Sequence, residues 1–133
     1  MTESSSWEEL IEAAKQASQR AYAPYSKFQV GAALRGRGGS IYAGCNVENA
    51  SFGATLCAER GAIARMVCDG ETEVVATVVY VVADDPALPC GICRQSLAEL
   101  ADPQMRILSL TPTQSRELSL GELLPYPFLF KPP

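Results

Sequence analysis

The sequence predicts an α/β fold, a three-layer α/β/α sandwich around a five-stranded mixed sheet whose last strand is antiparallel. Three observations carry that expectation. Apolar spacing alternates between helical and strand periods in the order α-β-β-α-β-α-β-β, which places helices on both faces of one sheet. A hydrophobic fraction of 47% in 133 residues suffices for a core, and no shift in composition marks a boundary, so 1–133 reads as a single domain. Only TPTQS separates the last two strand-like segments, too short a connection for a crossover helix.

The first helix is expected over Trp7–Tyr22, where Leu10, Ala13, Ala14, Ala17 and Ala21 share a side. Ser6 and Glu9 have capping-box spacing, and Pro24 stops the helix. Lys27–Leu34 and Ser40–Asn46 read as strands joined by a hairpin at Gly36–Gly39. A polar loop, Asn46–Thr55, precedes a helix over Cys57–Cys68 with Ala58, Ala62 and Met66 inward. The β-branched run Glu73–Ala83 reads as a strand buried on both faces. A helix over Cys90–Ala101, with Leu97 and Leu100 inward, leads to a strand at Met105–Leu110 and a short final one at Leu118–Leu120.

Charge and composition exclude several classes of function. Net charge is −4 and the 11 Lys and Arg residues are scattered, a poor match to a phosphate backbone. MTESSS shows no signal-peptide pattern, and Val74–Ala83 is too short to span a bilayer, so a cytoplasmic protein is expected. The five cysteines, an odd count, argue for metal or catalytic use over a disulfide framework. There is no histidine, which removes every imidazole-based mechanism and leaves proton transfer to Glu, Asp, Lys, Tyr or Cys.

Cys90 and Cys93 form a C-x-x-C at the start of a helix, where i and i+3 share a side. Alone, that pair is equally a redox couple, half of a structural zinc site or a coincidence. Cys57-Ala58-Glu59 opens the preceding helix, and one buried strand lies between the two. Helices flanking a strand in this way run side by side, so the three thiols converge and Glu59 points into the same space. Three ligands with an open position describe a catalytic zinc site, since structural sites are closed by a fourth. Cys45 and Cys68, the remaining candidates to close it, read as small apolar fillers. Three thiolates and Zn²⁺ sum to −1, which helix N-termini and the guanidinium groups of Arg60 or Arg94 would offset; Arg60 is the expected partner of the sulfurs. Glu59 is the acid placed to take a proton from water and return it to a substrate nitrogen. Spacing alone leaves Asn46 and Glu48 as turn residues and Phe28 as a core aromatic.

C-A-E-R at Cys57–Arg60 and P-C-G-x-C-R-Q at Pro89–Gln95 resemble the two signatures of cytidine deaminases. APYSKFQVGAAL (Ala23–Leu34), GCNVENASFG (Gly44–Gly53) and ELLPYPF (Glu122–Phe128) extend the resemblance over nearly the whole chain. It is similar to the small homotetrameric cytidine/deoxycytidine deaminases of pyrimidine salvage, with one zinc per subunit on three cysteines. The resemblance implies hydrolytic deamination of cytidine and 2′-deoxycytidine to uridine and 2′-deoxyuridine with release of ammonia. It implies that Asn46 and Glu48 hold the ribose 3′-hydroxyl, that Phe28 stacks on the pyrimidine and that the Ala58 backbone holds the base. It also implies that Phe128 reaches into a neighbouring subunit's site. Phe52 stands where the family often has Tyr, so a hydroxyl at a subunit contact is absent. The rivals are a deaminase of another aminopyrimidine nucleoside of the blasticidin type, which lacks the N-x-E-N pattern of Asn46–Asn49, and a closed structural zinc module.

Overall fold

The computed structural model describes residues 3–130, with side chains from Trp7 onward. Its elements are α1 (Glu3–Ser18), β1 (Val30–Gly36), β2 (Ile41–Cys45), α2 (Ala58–Cys68), β3 (Val74–Val81), α3 (Gly91–Leu100), β4 (Ala101–Leu110), β5 (Ser115–Ser119) and α4 (Leu120–Leu123). The sheet order is β2-β1-β3-β4-β5. Among the five strands of the sheet β3 and β4 pair in parallel; β1 is antiparallel to both its neighbours, and β5 is antiparallel to β4, as the short connection required.

Successive β-residues face opposite sides, and this divides the core in two. Ala33, Val78 and Tyr80 pack with Leu10 and Ala14 of α1. Leu34, Val74 and Ile107 turn the other way, onto Ala62 and Met66 of α2, Leu97 of α3 and Leu120 of α4. The result is the expected three-layer sandwich.

Because β1 lies antiparallel between β2 and β3, the crossovers β2–α2–β3 and β3–α3–β4 run in the same sense and bring the starts of α2 and α3 to one sheet edge. Gly44 sets how close α2 approaches. A Cβ there would lie 2.5 Å from the Ala62 nitrogen and 2.6 Å from the Ala58 oxygen, so only glycine lets the helix backbone rest on β2. At the far end of the hairpin Gly39 has φ +100°, the left-handed turn expected of the glycine-rich loop.

Several boundaries differ from expectation for identifiable reasons. α1 begins at Glu3, so Ser6 falls inside it instead of capping it, and the Ser6 side chain lies outside the described residues. The helix ends at Ser18, before Pro24, because Tyr22 pairs with the polar loop: its amide donates to Asn46 O and its carbonyl accepts from Glu48 N. β1 starts at Val30, three residues late, as Lys27 has φ 63°. β4 follows α3 without a loop, carrying Asp102 and Pro103 past a register shift opposite Val74–Ala76. Leu120, read as the end of a strand, instead starts α4 behind a capping box formed by Ser119 and Glu122.

Candidate active site

Cys57 and Cys90 are the N-cap residues of α2 and α3, with extended backbones (ψ 154° and 173°) and no side-chain cap hydrogen bond. A Ser or Asp at an N-cap normally points its oxygen back at the helix amides. These thiols leave that role and face each other across 3.8 Å. Cys93, one turn into α3 and fully buried, completes a group whose three sulfurs all lie within 4.8 Å of one another. Zn–S bonds of about 2.3 Å in a tetrahedron hold sulfurs about 3.8 Å apart, so the donor set fits zinc. No fourth sulfur or carboxylate joins the group among the described residues, contrary to a closed structural site. Cys45 is half-buried at the end of β2. Cys68 is exposed at the end of α2, so it is not the buried filler expected.

The ionisation of the thiols follows their surroundings. Burial, then the charge of Glu59, pushes the Cys93 thiol far up. Cys90 is also penalised by burial, but donation from the Cys93 amide and from the Cys93 and Cys57 thiols brings it below its ordinary value. Three sulfurs this close cannot all be thiolates without a cation between them.

Arg60 stands where expected: its Nη2 donates to Cys57 Sγ at 3.5 Å and to Thr55 O at 3.1 Å. The hydrogen bond to Cys57 is the largest cause raising the Arg60 pKa. Arg94 does not join it. Its Nε donates to Pro89 O at 2.7 Å and its Nη1 to Leu123 O at 2.9 Å, so it ties α4 to the start of α3 and leaves the sulfurs alone. Being next in sequence to Cys93 put the Arg94 backbone near the thiols, but one helical step turns its side chain to another face.

Above the sulfurs lies a cavity of about 230 Å³ lined by Phe28, Val30, Asn46, Thr55, Cys57 and Glu59, with Ala58, Val79, Ala87, Leu88 and Cys90. Glu59 is 5% exposed, and burial drives its carboxyl above the ordinary range, its own amide and Arg60 opposing weakly. Phe28 remains 43% exposed at the rim and is therefore no core aromatic. Thr55, Ala87 and Leu88 were not singled out from the sequence; the signal was their position two or three residues ahead of a cysteine ligand.

Asn46 is buried, and both ends of its amide hold the arm that carries Phe28. Its Oδ1 accepts from Val30 N at 2.9 Å, and its Nδ2 donates to Phe28 O at 2.8 Å. Glu48 holds the same arm from the other end. Its Oε1 accepts from the amides of Tyr25 and Ser26 at 3.0 and 3.1 Å, and its Oε2 accepts from the Ser26 hydroxyl. That hydroxyl, followed by the Ser26 amide, keeps the Glu48 carboxyl below the usual range. Glu48 lines an adjoining depression of about 400 Å³ with Tyr25, Ser26 and Phe52, which meets the first cavity at Thr55. The Phe52 ring, 77% exposed, stands edge-on to Tyr25 at 6.3 Å between centroids.

Phe128 lies in neither cavity. Its main chain is clasped by Gln95, whose Oε1 accepts from Phe128 N and whose Nε2 donates to Phe128 O, both at 3.0 Å, while the ring is 73% exposed.

A family model for the cytidine and deoxycytidylate deaminase zinc-binding region matches residues 4–109. The chain is 45% identical over 120 residues to the cytidine deaminase of Halalkalibacterium halodurans, covering 90% of this chain and 91% of that one. It is 43% identical over 122 residues to the cytidine deaminase of Sporosarcina psychrophila, covering 91% and 90%. The crystal structure of cytidine deaminase from Burkholderia pseudomallei superposes with a TM-score of 0.87 at 43% identity, covering 96% of this chain and all of that one.

Proposed function

We propose, from the premise that the chain belongs to the cytidine and deoxycytidylate deaminase family, that it catalyses hydrolytic deamination of cytidine and 2′-deoxycytidine. Water adds its oxygen to C4, the C4–N bond breaks, and ammonia leaves with uridine or 2′-deoxyuridine. The single observation that carries this reading is three converged cysteine sulfurs beneath a cavity walled by one buried carboxylate. Cys57, Cys90 and Cys93 would hold zinc, which when bound would supply a water activated as a nucleophile near neutral pH.

Glu59 performs the proton transfers. Its carboxylate carries one proton of the attacking water to N3, then carries the proton of the new C4 hydroxyl to the departing amine, leaving the C4 carbonyl. Its burial suits both halves of that task, because a raised pKa brings acid and base forms closer to neutral pH. Arg60 donates to Cys57 and offsets part of the negative charge collected by the sulfurs. The Phe28 ring at the cavity rim stacks on the pyrimidine, and the Ala58 backbone in its wall holds the base.

Asn46 and Glu48 hold the ribose 3′-hydroxyl. Their hydrogen-bonding capacity supports this. With one N–H of Asn46 Nδ2 given to Phe28 O, the second is left over. Glu48 Oε2, with one partner, can accept a second.

Residues 1–133 are taken as one deaminase domain, working as a homotetramer in which Phe128 reaches a neighbour's cavity. Exposed Tyr126, Phe128, Leu129 and Phe130 support that assembly, since so large an apolar cluster marks a contact surface. The enzyme works in the cytoplasm, as the sequence leads one to expect; no helix among the described residues is long and apolar enough to cross a membrane. The test is the loss of cytidine absorbance with stoichiometric ammonia release, with and without a zinc chelator, followed by native mass measurement. No change with either nucleoside would sink the reading.

A further inference from the structure

Ser26 has no role among those assigned above, yet it stands at a junction. The Phe28 amide donates to Ser26 Oγ at 3.0 Å, occupying a lone pair of the hydroxyl, and the hydroxyl proton is directed to Glu48 Oε2. Lys27, between them, is held at φ 63°, a left-handed conformation costly for a residue with a side chain. The arm does not need this hydroxyl to keep its path. Asn46 holds Phe28 O and Val30 N, and Lys27 N donates to Ala23 O at 3.0 Å. The other oxygen of Glu48 is fixed by two main-chain amides. What the hydroxyl adds is the direction of Oε2 and a link between that oxygen and the backbone of Phe28.

We propose that Ser26 is a positioning residue, its hydroxyl aligning the Glu48 carboxylate with the substrate's 3′-hydroxyl and coupling it to the Phe28 arm. This rests on the reading of Glu48 as a ribose contact. Ser26 touches no substrate atom. It acts through Glu48, so its effect depends on whether the substrate carries a 3′-hydroxyl.

Steady-state kinetics on the zinc-loaded enzyme with cytidine and with 3′-deoxycytidine test this. Ser26→Ala lowers kcat/KM for cytidine by about 10- to 100-fold, the range for a hydrogen bond to a charged group, with most of the change in KM. It lowers the 3′-deoxycytidine value by less than about threefold, because the orienting bond then has nothing to serve. Ser26→Thr, which keeps the hydroxyl, restores the cytidine value. A merely structural serine predicts equal losses on both substrates, and that result overturns the proposal, as does no loss on either. Glu48→Ala separates the two layers of inference. Discrimination between the substrates by Glu48→Ala but not by Ser26→Ala overturns the role of Ser26 alone. Equal losses in Glu48→Ala overturn the ribose reading of Glu48 together with the proposal built on it.

Discussion

The sulfur group and the arm that carries Phe28 lie side by side around one cavity, yet they are held by different means. The sulfurs are set by topology: two parallel crossovers bring two helix starts to one sheet edge, and each start contributes an N-cap cysteine. The arm from Tyr25 to Val30 belongs to no helix or strand until its last residue. It is held by the side chains of Asn46 and Glu48, which bond its main chain from both ends. One region inherits its geometry from backbone hydrogen bonding and core packing, the other from two polar residues. The first fails outright when a ligand is lost or its helices are displaced; the second fails gradually, one hydrogen bond at a time.

The largest effect belongs to the first region. Cys93→Ala removes a buried sulfur from the donor set, and both bound zinc, by elemental analysis, and ammonia release fall to background. Glu59→Gln keeps the isosteric side chain and the metal while turnover falls by about 10²–10⁴-fold, the usual size of acid–base catalysis. Full zinc content beside near-normal turnover in that variant would remove Glu59 from the mechanism.

The adjacent arginines sharpen the contrast within α2 and α3. Arg60→Ala weakens zinc binding by about 10- to 100-fold in a competitive chelator titration, the usual result of losing a partner of a metal ligand. Arg94→Ala leaves zinc affinity unchanged and lowers the melting temperature, since its bonds run to Pro89 O and Leu123 O. If both lowered zinc affinity alike, the division drawn between them would fall.

The arm yields smaller changes. Asn46→Ala leaves Val30 N and Phe28 O without their partner, at about 1–3 kcal/mol for each group that water does not reach. The expected outcome is a lower melting temperature and a raised KM with zinc content intact, readable by calorimetry and kinetics on one preparation. Smallest is the effect of acid. The Glu48 pKa is depressed in the folded state, so its contribution to stability is present above the ordinary glutamate value and is lost as pH falls through the lower folded value. Glu48→Gln flattens that part of an acid unfolding curve; an unchanged curve would mean that the carboxylate contributes nothing to the arm.

The same division explains what was legible in the sequence. Cys57, Cys90, Cys93 and Glu59 could be placed because motif spacing and helix periodicity are one-dimensional records of backbone topology. The order of elements and the antiparallel β5 followed from periodicity and loop length. The double use of Asn46 was hidden, since nothing local says that its amide closes on residues sixteen and eighteen positions earlier. Sequence neighbours named Arg60 as the partner of the sulfurs but left the direction of Arg94 open, because side-chain direction depends on packing around each helix. The early end of α1 had the same origin: Tyr22 gave up helical spacing for a bridge to Val47.

Gly44 has a consequence for how this protein can vary over evolutionary time. It carries no chemistry and lies a strand away from the cavity, yet a single methyl group there would stand 2.5 Å from the α2 backbone and lift the helix whose N-cap is Cys57. So small an exchange as glycine to alanine thus becomes a lesion of the metal centre.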